Sequence, residues 1–389
     1  MWKECKKRIL SGCLGSHSAK KEVTMDKLLP SQNPPGKLDI KKTPLFVAIG
    51  FDDNDRSGFT SEKGAEGMKW AVDTFMNRKN PDGTACSCAF YMLSRYVADG
   101  ALEPPHLVRK SWRYAYDLGF EIGCHTHSHP DGSHFTVDEW LAEMNQCIDI
   151  LTKPYVDGDD GNDTGAGIKR SDIISFRSPY LAYNANTMKA VEKMGFAYDS
   201  SLEEGYQDDQ DGTNFYYPYT LDEGSPGNQF VHSFRAEKEM IGKHPGIWEM
   251  PIQVLIAPPD EECESYGIPK GFRKKLAETR EYFSESDGKV CGLDYNCLAE
   301  MQMTGEEFLA TLKYSLDLRL KGNRAPFILG AHTGIYALEY DSNPVIKVSV
   351  RERQKAIEDF LDYALTKPEV FVVSPQKVIA WMKNPEGLK

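Results

Sequence analysis

The sequence predicts an α/β fold, an irregular (β/α) barrel of seven or eight parallel strands that forms a single domain with loop insertions. Three observations lead to this prediction. Short apolar runs alternate with amphipathic helical patterns along most of the chain, which is typical of a parallel sheet. Polar residues stand where several of these runs end. The length of 389 residues fits one barrel with insertions.

The strand and helix predictions rest on apolar periodicity and on end signals. In the clearest helix, residues 136–151, Thr136 and Glu139 form a capping box. Pro105 begins another helix and Gly119 ends it. The predicted strands are residues 45–51, 86–93, 120–124, 173–176, 196–198, 246–250, 326–329 and 371–373. The predicted helices are residues 64–78, 105–119, 136–151, 187–194, 304–320 and 351–365.

The chain divides into a polar N-terminal segment, residues 1–42, and a domain, residues 43–383. We interpret the first as a tail or a leader remnant, because it lacks an apolar helical face. It contains Leu-Ser-Gly-Cys ending at Cys13, which is similar to a lipoprotein cleavage box. The domain carries two insertions, residues 203–243 and 256–303, which lack enough periodic apolar sequence for a core of their own.

Charge and composition exclude several classes of protein. The net charge of −12 would repel phosphate backbones, so we expect no nucleic-acid partner. No apolar run reaches the ~20 residues that a membrane span needs. The nine cysteines cannot all pair within one chain. Cys263, Cys291 and Cys297 share a loop-rich stretch and either form a disulfide there or remain thiols.

Two of the predicted strands end in groups that suit a metal ion. Asp52 and Asp53 directly follow the first apolar run. His125, His127 and His129 fall within five residues after the third run. In a helix His125 and His129 would share a face, and in an extended segment all three histidines would. Imidazole and carboxylate groups together suit a borderline cation such as zinc, and cobalt accepts the same ligands. We therefore expect a metal site at this edge.

Two further strands end in groups that suit catalysis. Arg177 follows the fourth run and can orient a carboxylate by hydrogen bonding. Pro179 fixes the next turn and leaves the N–H of Tyr180 available as a donor. His332 ends a late strand, where an imidazole beside a metal can serve as a general acid.

Taken together, these residues resemble the motifs of the polysaccharide deacetylase family, carbohydrate esterase family 4. The first family motif ends in Phe-Asp-Asp, as residues 51–53 do. The second, His-(Ser/Thr)-x-x-His, is matched at residues 125–129, and the third, Arg-x-Pro-(Phe/Tyr), at residues 177–180. The last has a leucine shortly before a histidine, as Leu329 and His332 do. The fourth, an Asp-rich stretch with a tryptophan, is matched only by Asp199, and Trp248 would supply the groove wall.

The resemblance implies a role for each matched residue. Asp53, His125 and His129 would hold one divalent metal, and His127 lies outside the ligand positions. Asp52 would be the general base, with Arg177 keeping it ionised. The Tyr180 N–H would stabilise an oxyanion, and His332 would protonate the leaving amine.

The resemblance also implies a metal-dependent amide hydrolase that removes N-acetyl groups from an N-acetylglucosamine polymer, chitin or peptidoglycan. Aromatic residues of the loop at 203–224 would either stack on sugars or cover the core. Two alternatives stay open: a same-fold hydrolase of a small cyclic amide or imide, and a sugar-binding protein without activity. We expect an extracytoplasmic or secreted protein, with the cytoplasm as the alternative.

Overall fold

The computed structural model describes residues 27–60, 66–229, 240–339 and 345–389. Its centre is a nine-stranded sheet in which eight strands run parallel and one edge strand runs antiparallel. The sheet is strongly curled into a half-barrel, and helices pack outside it. The predicted fold class is thereby confirmed.

The strands are short, apart from the first and the twelfth. In chain order they are β1 (Leu45–Asp52), β2 (Ala89–Met92), β3 (Glu121–Cys124), β4 (Ser175–Phe176), β5 (Tyr198–Asp199), β6 (Glu203–Glu204), β7 (Tyr219–Thr220), β8 (Trp248–Glu249), β9 (Ile252–Gln253), β10 (Leu255–Ile256), β11 (Lys289–Val290), β12 (Phe327–His332) and β13 (Val370–Val372). The main sheet has the order β12-β1-β2-β3-β4-β5-β8-β7, with β13 also paired to β1. Two small pairs, β6–β9 and β10–β11, lie outside it.

The helices follow the strands as the sequence pattern predicts, and several begin at capping residues. Capping boxes at Thr136 and Thr304 satisfy the first N–H groups of two long helices. The α-helices are α1 (Gly67–Met76), α2 (Pro105–Asp117), α3 (Val137–Thr152), α4 (Ala185–Met194), α5 (Asp260–Cys263), α6 (Phe272–Thr279), α7 (Gly305–Lys321), α8 (Val350–Leu365) and α9 (Pro375–Lys383). Short 3-10 helices span Pro35–Lys37, Ile40–Lys42, Ser94–Val97, Arg170–Asp172, Pro179–Leu181, Glu264–Tyr266 and Thr333–Tyr336, and a π-helix spans Asn296–Glu300.

Parallel pairing brings the carboxyl ends of the central strands to one edge. Asp52, the last residue of β1, lies opposite His332, the last residue of β12. Cys124 and Phe176, which end β3 and β4, are also register partners, so the residues that follow them are neighbours. The curled sheet therefore positions four separate chain segments around one site.

Residues 27–42 contact the domain, although the sequence pattern assigns them to the N-terminal tail. The backbone N–H of Thr220 donates to the carbonyl of Leu28, and the Asn323 side chain donates to the carbonyl of Gln32. The proposed lipoprotein box at Cys13 lies outside the described residues.

The two insertions differ in what they add to the fold. In the first, Phe215, Tyr217 and Tyr219 are buried core residues, so these three aromatics cover the core and do not offer a face to a sugar. In the second, the buried Cys263 and Cys297 have free thiols, which agrees with the alternative of unpaired cysteines for these two residues. Within the described segments, no helix combines the length and the apolar character that crossing a membrane requires.

Candidate metal centre and active site

Three residues from two loops converge at the carboxyl edge of the sheet. Nε2 of His125 lies 3.8 Å from Oδ1 of Asp53, and Nε2 of His129 lies 3.5 Å from the same oxygen. Single ligand atoms of the three residues all lie within 4.8 Å of one another. This is a candidate site for one metal ion, with the ligand types that zinc prefers.

The chemical state of these residues fits a cation. The Nδ1 atom of His125 donates to the backbone carbonyl of Arg177 at 2.8 Å. This leaves the lone pair of Nε2 free to bind a metal ion. Burial lowers the pKa of both His125 and His129 to about 3, so both imidazoles are neutral at neutral pH. Oδ1 of Asp53 is buried and has no hydrogen-bond partner among the described residues. A buried oxygen without a partner is costly, and a cation would satisfy it.

The pKa and the backbone conformation of Asp53 also indicate that its carboxylate lacks a partner. Desolvation raises its pKa to about 7, although the positive charge of His332 opposes the shift. A positively charged ligand at this oxygen would favour the ionised form. The φ angle of Asp53 is +66°, a left-handed conformation that non-glycine residues adopt at a cost. The chain therefore holds this carboxylate in place against both electrostatic and conformational preference.

Asp52, beside the candidate metal ligand, is held by an arginine. Nη1 of the fully buried Arg177 donates to Oδ1 of Asp52 at 2.8 Å. The other nitrogens of the guanidinium donate to Ser200, Nε to its carbonyl and Nη2 to its hydroxyl. A Cβ atom at Gly50 would lie only 3.0 Å from Nη2, so a side chain at this position would crowd the guanidinium. Asp52 is thus fixed and paired with a positive charge.

A second charged pair near Asp53 is formed by His332 and Asp294. Nδ1 of His332 lies 2.7 Å from Oδ1 of Asp294, and the His332 backbone N–H donates to the other carboxylate oxygen at 3.0 Å. Burial would lower the pKa of His332, but the charge and hydrogen bond of Asp294 outweigh it and raise the pKa to about 10. His332 is therefore a protonated imidazolium at neutral pH, able to donate from Nε2.

Asp294 is the functional residue that the sequence analysis missed. It lies in the second insertion, where Leu293 forms an isolated parallel bridge with Gly330 of β12. A usable signal was present, because Asp294 follows a short apolar run, as Asp52 does. The neighbouring Tyr295 is 41 % exposed, and its ring centroid lies 6.4 Å from that of His332.

Residues 41–198 match the model of the family described as polysaccharide deacetylase. This segment includes β1 to β5 and the loops that carry Asp52, Asp53, His125, His129 and Arg177. This match covers less than half of the chain. The expected resemblance to the polysaccharide deacetylase family is confirmed over these residues; the activity and the substrate are separate questions.

Other similar proteins extend over most of the chain. Chitin deacetylase 8 of Bombyx mori is 24 % identical over 364 residues, which cover 91 % of this chain and 74 % of the relative. A solved structure assigned to a polysaccharide deacetylase of Mycobacterium smegmatis has a TM-score of 0.49 at 16 % identity, covering 92 % and 95 % of the two chains. The structure of PuuE allantoinase has a TM-score of 0.47 at 14 % identity, with the same coverage.

The two residues expected to take the place of the fourth family motif, Asp199 and Trp248, are both buried. Asp199 is fully buried, and its carboxylate accepts the backbone N–H and the hydroxyl of Ser201 at 2.8 Å each. Trp248 is 2 % exposed and belongs to a buried apolar cluster, with Lys383 over its ring. This burial does not favour a groove wall, and the expected contact of Trp248 with substrate stays a prediction.

The loop that matches the third family motif lies against the candidate metal site. Tyr180, which follows Pro179, has a φ angle of +56° and is 68 % exposed. Its ring centroid lies 4.3 Å from that of His129. His127, in contrast, is buried and bonds through Nδ1 to the hydroxyl of Ser94 at 2.8 Å, away from the three candidate ligands.

Proposed function

We propose that this protein is a metal-dependent hydrolase that removes N-acetyl groups from N-acetylglucosamine units of a polysaccharide. The observation that carries the proposal is a candidate base and a candidate acid beside one candidate cation site. Asp52 and His332 are register partners on β1 and β12, Asp53 directly follows Asp52, and the charge of His332 acts on Asp53. The similarity to a protein named chitin deacetylase 8 supports the choice of an acetylated sugar polymer.

The proposed reaction adds water across the acetamide bond. A cation held by Asp53, His125 and His129, zinc by preference, would supply Lewis acidity toward the amide carbonyl. Asp52 accepts a proton from the attacking water while a C–O bond forms at the carbonyl carbon. His332 donates its proton to the nitrogen as the C–N bond breaks. The products are acetate and a free amine on the sugar.

Each of the two proton-transfer residues has a partner that suits its role. Arg177 holds the carboxylate of Asp52 in place and puts a positive charge beside it through the 2.8 Å hydrogen bond. Asp294 keeps His332 protonated, because its negative charge stabilises the imidazolium. His332 therefore has a proton to donate to the leaving nitrogen.

The surroundings of the site support a polymer rather than a small molecule as the substrate. Two exposed aromatic side chains flank the candidate metal centre, Tyr180 beside His129 and Tyr295 beside His332. Aromatic faces open to solvent can stack on sugar rings. An enzyme for a small cyclic amide needs an enclosing pocket, which two exposed tyrosines do not provide.

An acetate-release assay tests this function. The untagged protein, its metal-chelated form and the Asp52→Asn variant are incubated with chitin oligomers, peptidoglycan and a small cyclic imide. We expect acetate from the sugar polymers, loss of release on chelation and loss in the Asp52→Asn variant of about 10²–10⁴-fold. The exposed Asp208→Asn is a matched control with the same charge change.

Three results would contradict the proposal in different ways. Hydrolysis of the imide alone would favour the small-amide alternative. Binding of chitin oligomers without any acetate would favour a sugar-binding protein. Full activity of the Asp52→Asn variant would show that another group is the base.

A further inference from the structure

The loop that carries both candidate histidine ligands has an unusual backbone. Thr126 has a φ angle of +69° and His129 one of +61°. Each is a left-handed conformation of a residue other than glycine, which such residues adopt only at a cost in free energy. Such conformations persist only where neighbouring groups hold them. The position of Nε2 of His129 relative to that of His125 therefore depends on what fixes residues 126–128.

A single side chain, Glu143 on α3, fixes one side of this loop. Its Oε2 atom accepts the backbone N–H of His127 at 3.0 Å and that of Ser128 at 2.8 Å. Its Oε1 atom accepts the hydroxyl of Ser128 at 2.7 Å. All three donors lie between the two candidate ligands. Because α3 begins at a capping box, the carboxylate projects from a well-anchored helix.

The other side of the loop is held mostly by backbone groups. The N–H of Ser94 donates to the carbonyl of Thr126 at 3.3 Å, and that of Arg95 to the carbonyl of His127 at 3.0 Å. The short helix Ser94–Val97 supplies these donors whatever its side chains are. The N–H groups of the loop, in contrast, depend on the carboxylate of Glu143.

We propose that Glu143 is a positioning residue that sets the affinity of the candidate site for its cation. Without it, residues 126–128 lose three hydrogen bonds and relax toward ordinary backbone angles, which moves His129 relative to His125. The inference rests on the proposed function, since it requires that these histidines bind a metal. Groups that orient metal ligands typically change metal affinity by about 10–100-fold when removed.

The test measures dissociation constants for zinc(II) and cobalt(II) by chelator competition on the full, untagged apoprotein. The variants are Glu143→Ala and Glu143→Gln, with Asp149→Asn as the control. Glutamine keeps an oxygen that can accept both backbone N–H groups, whereas alanine keeps none. Asp149 is an exposed acid on the same helix, so its variant changes the charge of α3 but not the loop. The melting temperature of each apoprotein is measured in parallel.

We expect Glu143→Ala to raise both dissociation constants about 10–100-fold, and Glu143→Gln to restore most of the affinity. Asp149→Asn should match the unchanged protein. If Glu143→Ala does not fold, Glu143→Asp, which keeps the charge but stops short of the loop, should show the same rise.

Equal dissociation constants in the unchanged protein and the folded Glu143→Ala or Glu143→Asp variant would overturn the proposal. So would an equal loss in Glu143→Gln and Glu143→Ala, because the charge of Glu143 and not its hydrogen bonds would then act. Failure of the unchanged protein to bind either metal would instead refute the proposed function, and this inference with it. Metal binding by the unchanged protein therefore distinguishes failure of this inference from failure of the proposed function.

Discussion

The pair formed by His332 and Asp294 gives a prediction with a defined pH dependence. The negative charges of Asp294, Asp53 and Asp52 raise the pKa of His332 from 6.5 to about 10 against the lowering effect of burial, and Asp294 contributes most of this rise. Asp294→Asn keeps the shape but removes the charge, so the pKa should fall to about 6.5 or below. At about pH 9, the protonated fraction of His332 would then drop roughly 300-fold, whereas at about pH 6 it would hardly change.

The assay is the pH profile of kcat/KM for acetate release. We expect the basic limb of the profile to move from about pH 10 to about pH 6.5 or below in the variant, because the general acid loses its proton earlier. Asp287→Asn, an exposed acid in the same insertion, should leave the profile unchanged. A basic limb at the same pH in Asp294→Asn and in the unchanged protein would refute the assignment of His332 as the acid held protonated by Asp294.

Three other predictions address the metal, the buried ion pair and the groove. Because the pKa of Asp53 is about 7, protons should compete with zinc for its carboxylate. The dissociation constant for zinc should therefore rise about tenfold per pH unit below pH 7. A dissociation constant that stays the same between pH 7 and 5, measured by calorimetry, would contradict this. Arg177→Met leaves Asp52 buried without its cation and should lower the free energy of unfolding by about 3–5 kcal/mol in a denaturant titration, and an unchanged midpoint would argue against the pairing. Tyr295→Ala should raise KM for chitin oligomers severalfold with little loss of stability. Trp248→Ala should instead destabilise the fold by about 3–5 kcal/mol. The opposite pattern would show that Trp248, and not Tyr295, contacts the substrate.

Much of the fold could be predicted from the sequence because its signals are local. The capping box at Thr136 and the apolar stripe behind it define α3 without reference to other elements. The alternation of strands and helices similarly requires a parallel sheet. The strands β4, β5 and β8 have only two residues each, so their lengths were overestimated from apolar runs that continue beyond the ladder.

The candidate site was predictable where its residues directly follow strands, because parallel strands end at one edge. Asp53, His125 and His129 are brought together in this way. Asp294 also follows a short apolar run, but the sequence does not show that this run reaches the sheet, because it lies in an insertion and joins β12 through an isolated bridge. Asp199 also ends a strand, and its carboxylate accepts hydrogen bonds from Ser201; its contact with substrate stays a prediction.

Local hydrogen bonding also decides between residues that look equivalent in the sequence. His127 lies between two candidate ligands in an alternating pattern, yet its ring bonds to Ser94. The left-handed backbone at Thr126 turns the loop so that the outer histidines face Asp53 and the middle one does not. Spacing alone could not reveal this, because an extended segment would have placed all three histidines on one face.

The most direct test of the account is the metal content of the untagged protein beside that of the His129→Ala variant. The account predicts one divalent ion per chain in the unchanged protein, and little or none in the variant at equal metal concentration. Equal metal content in the two proteins, or none in either after loading with zinc, would contradict the claim that Asp53, His125 and His129 bind a common cation.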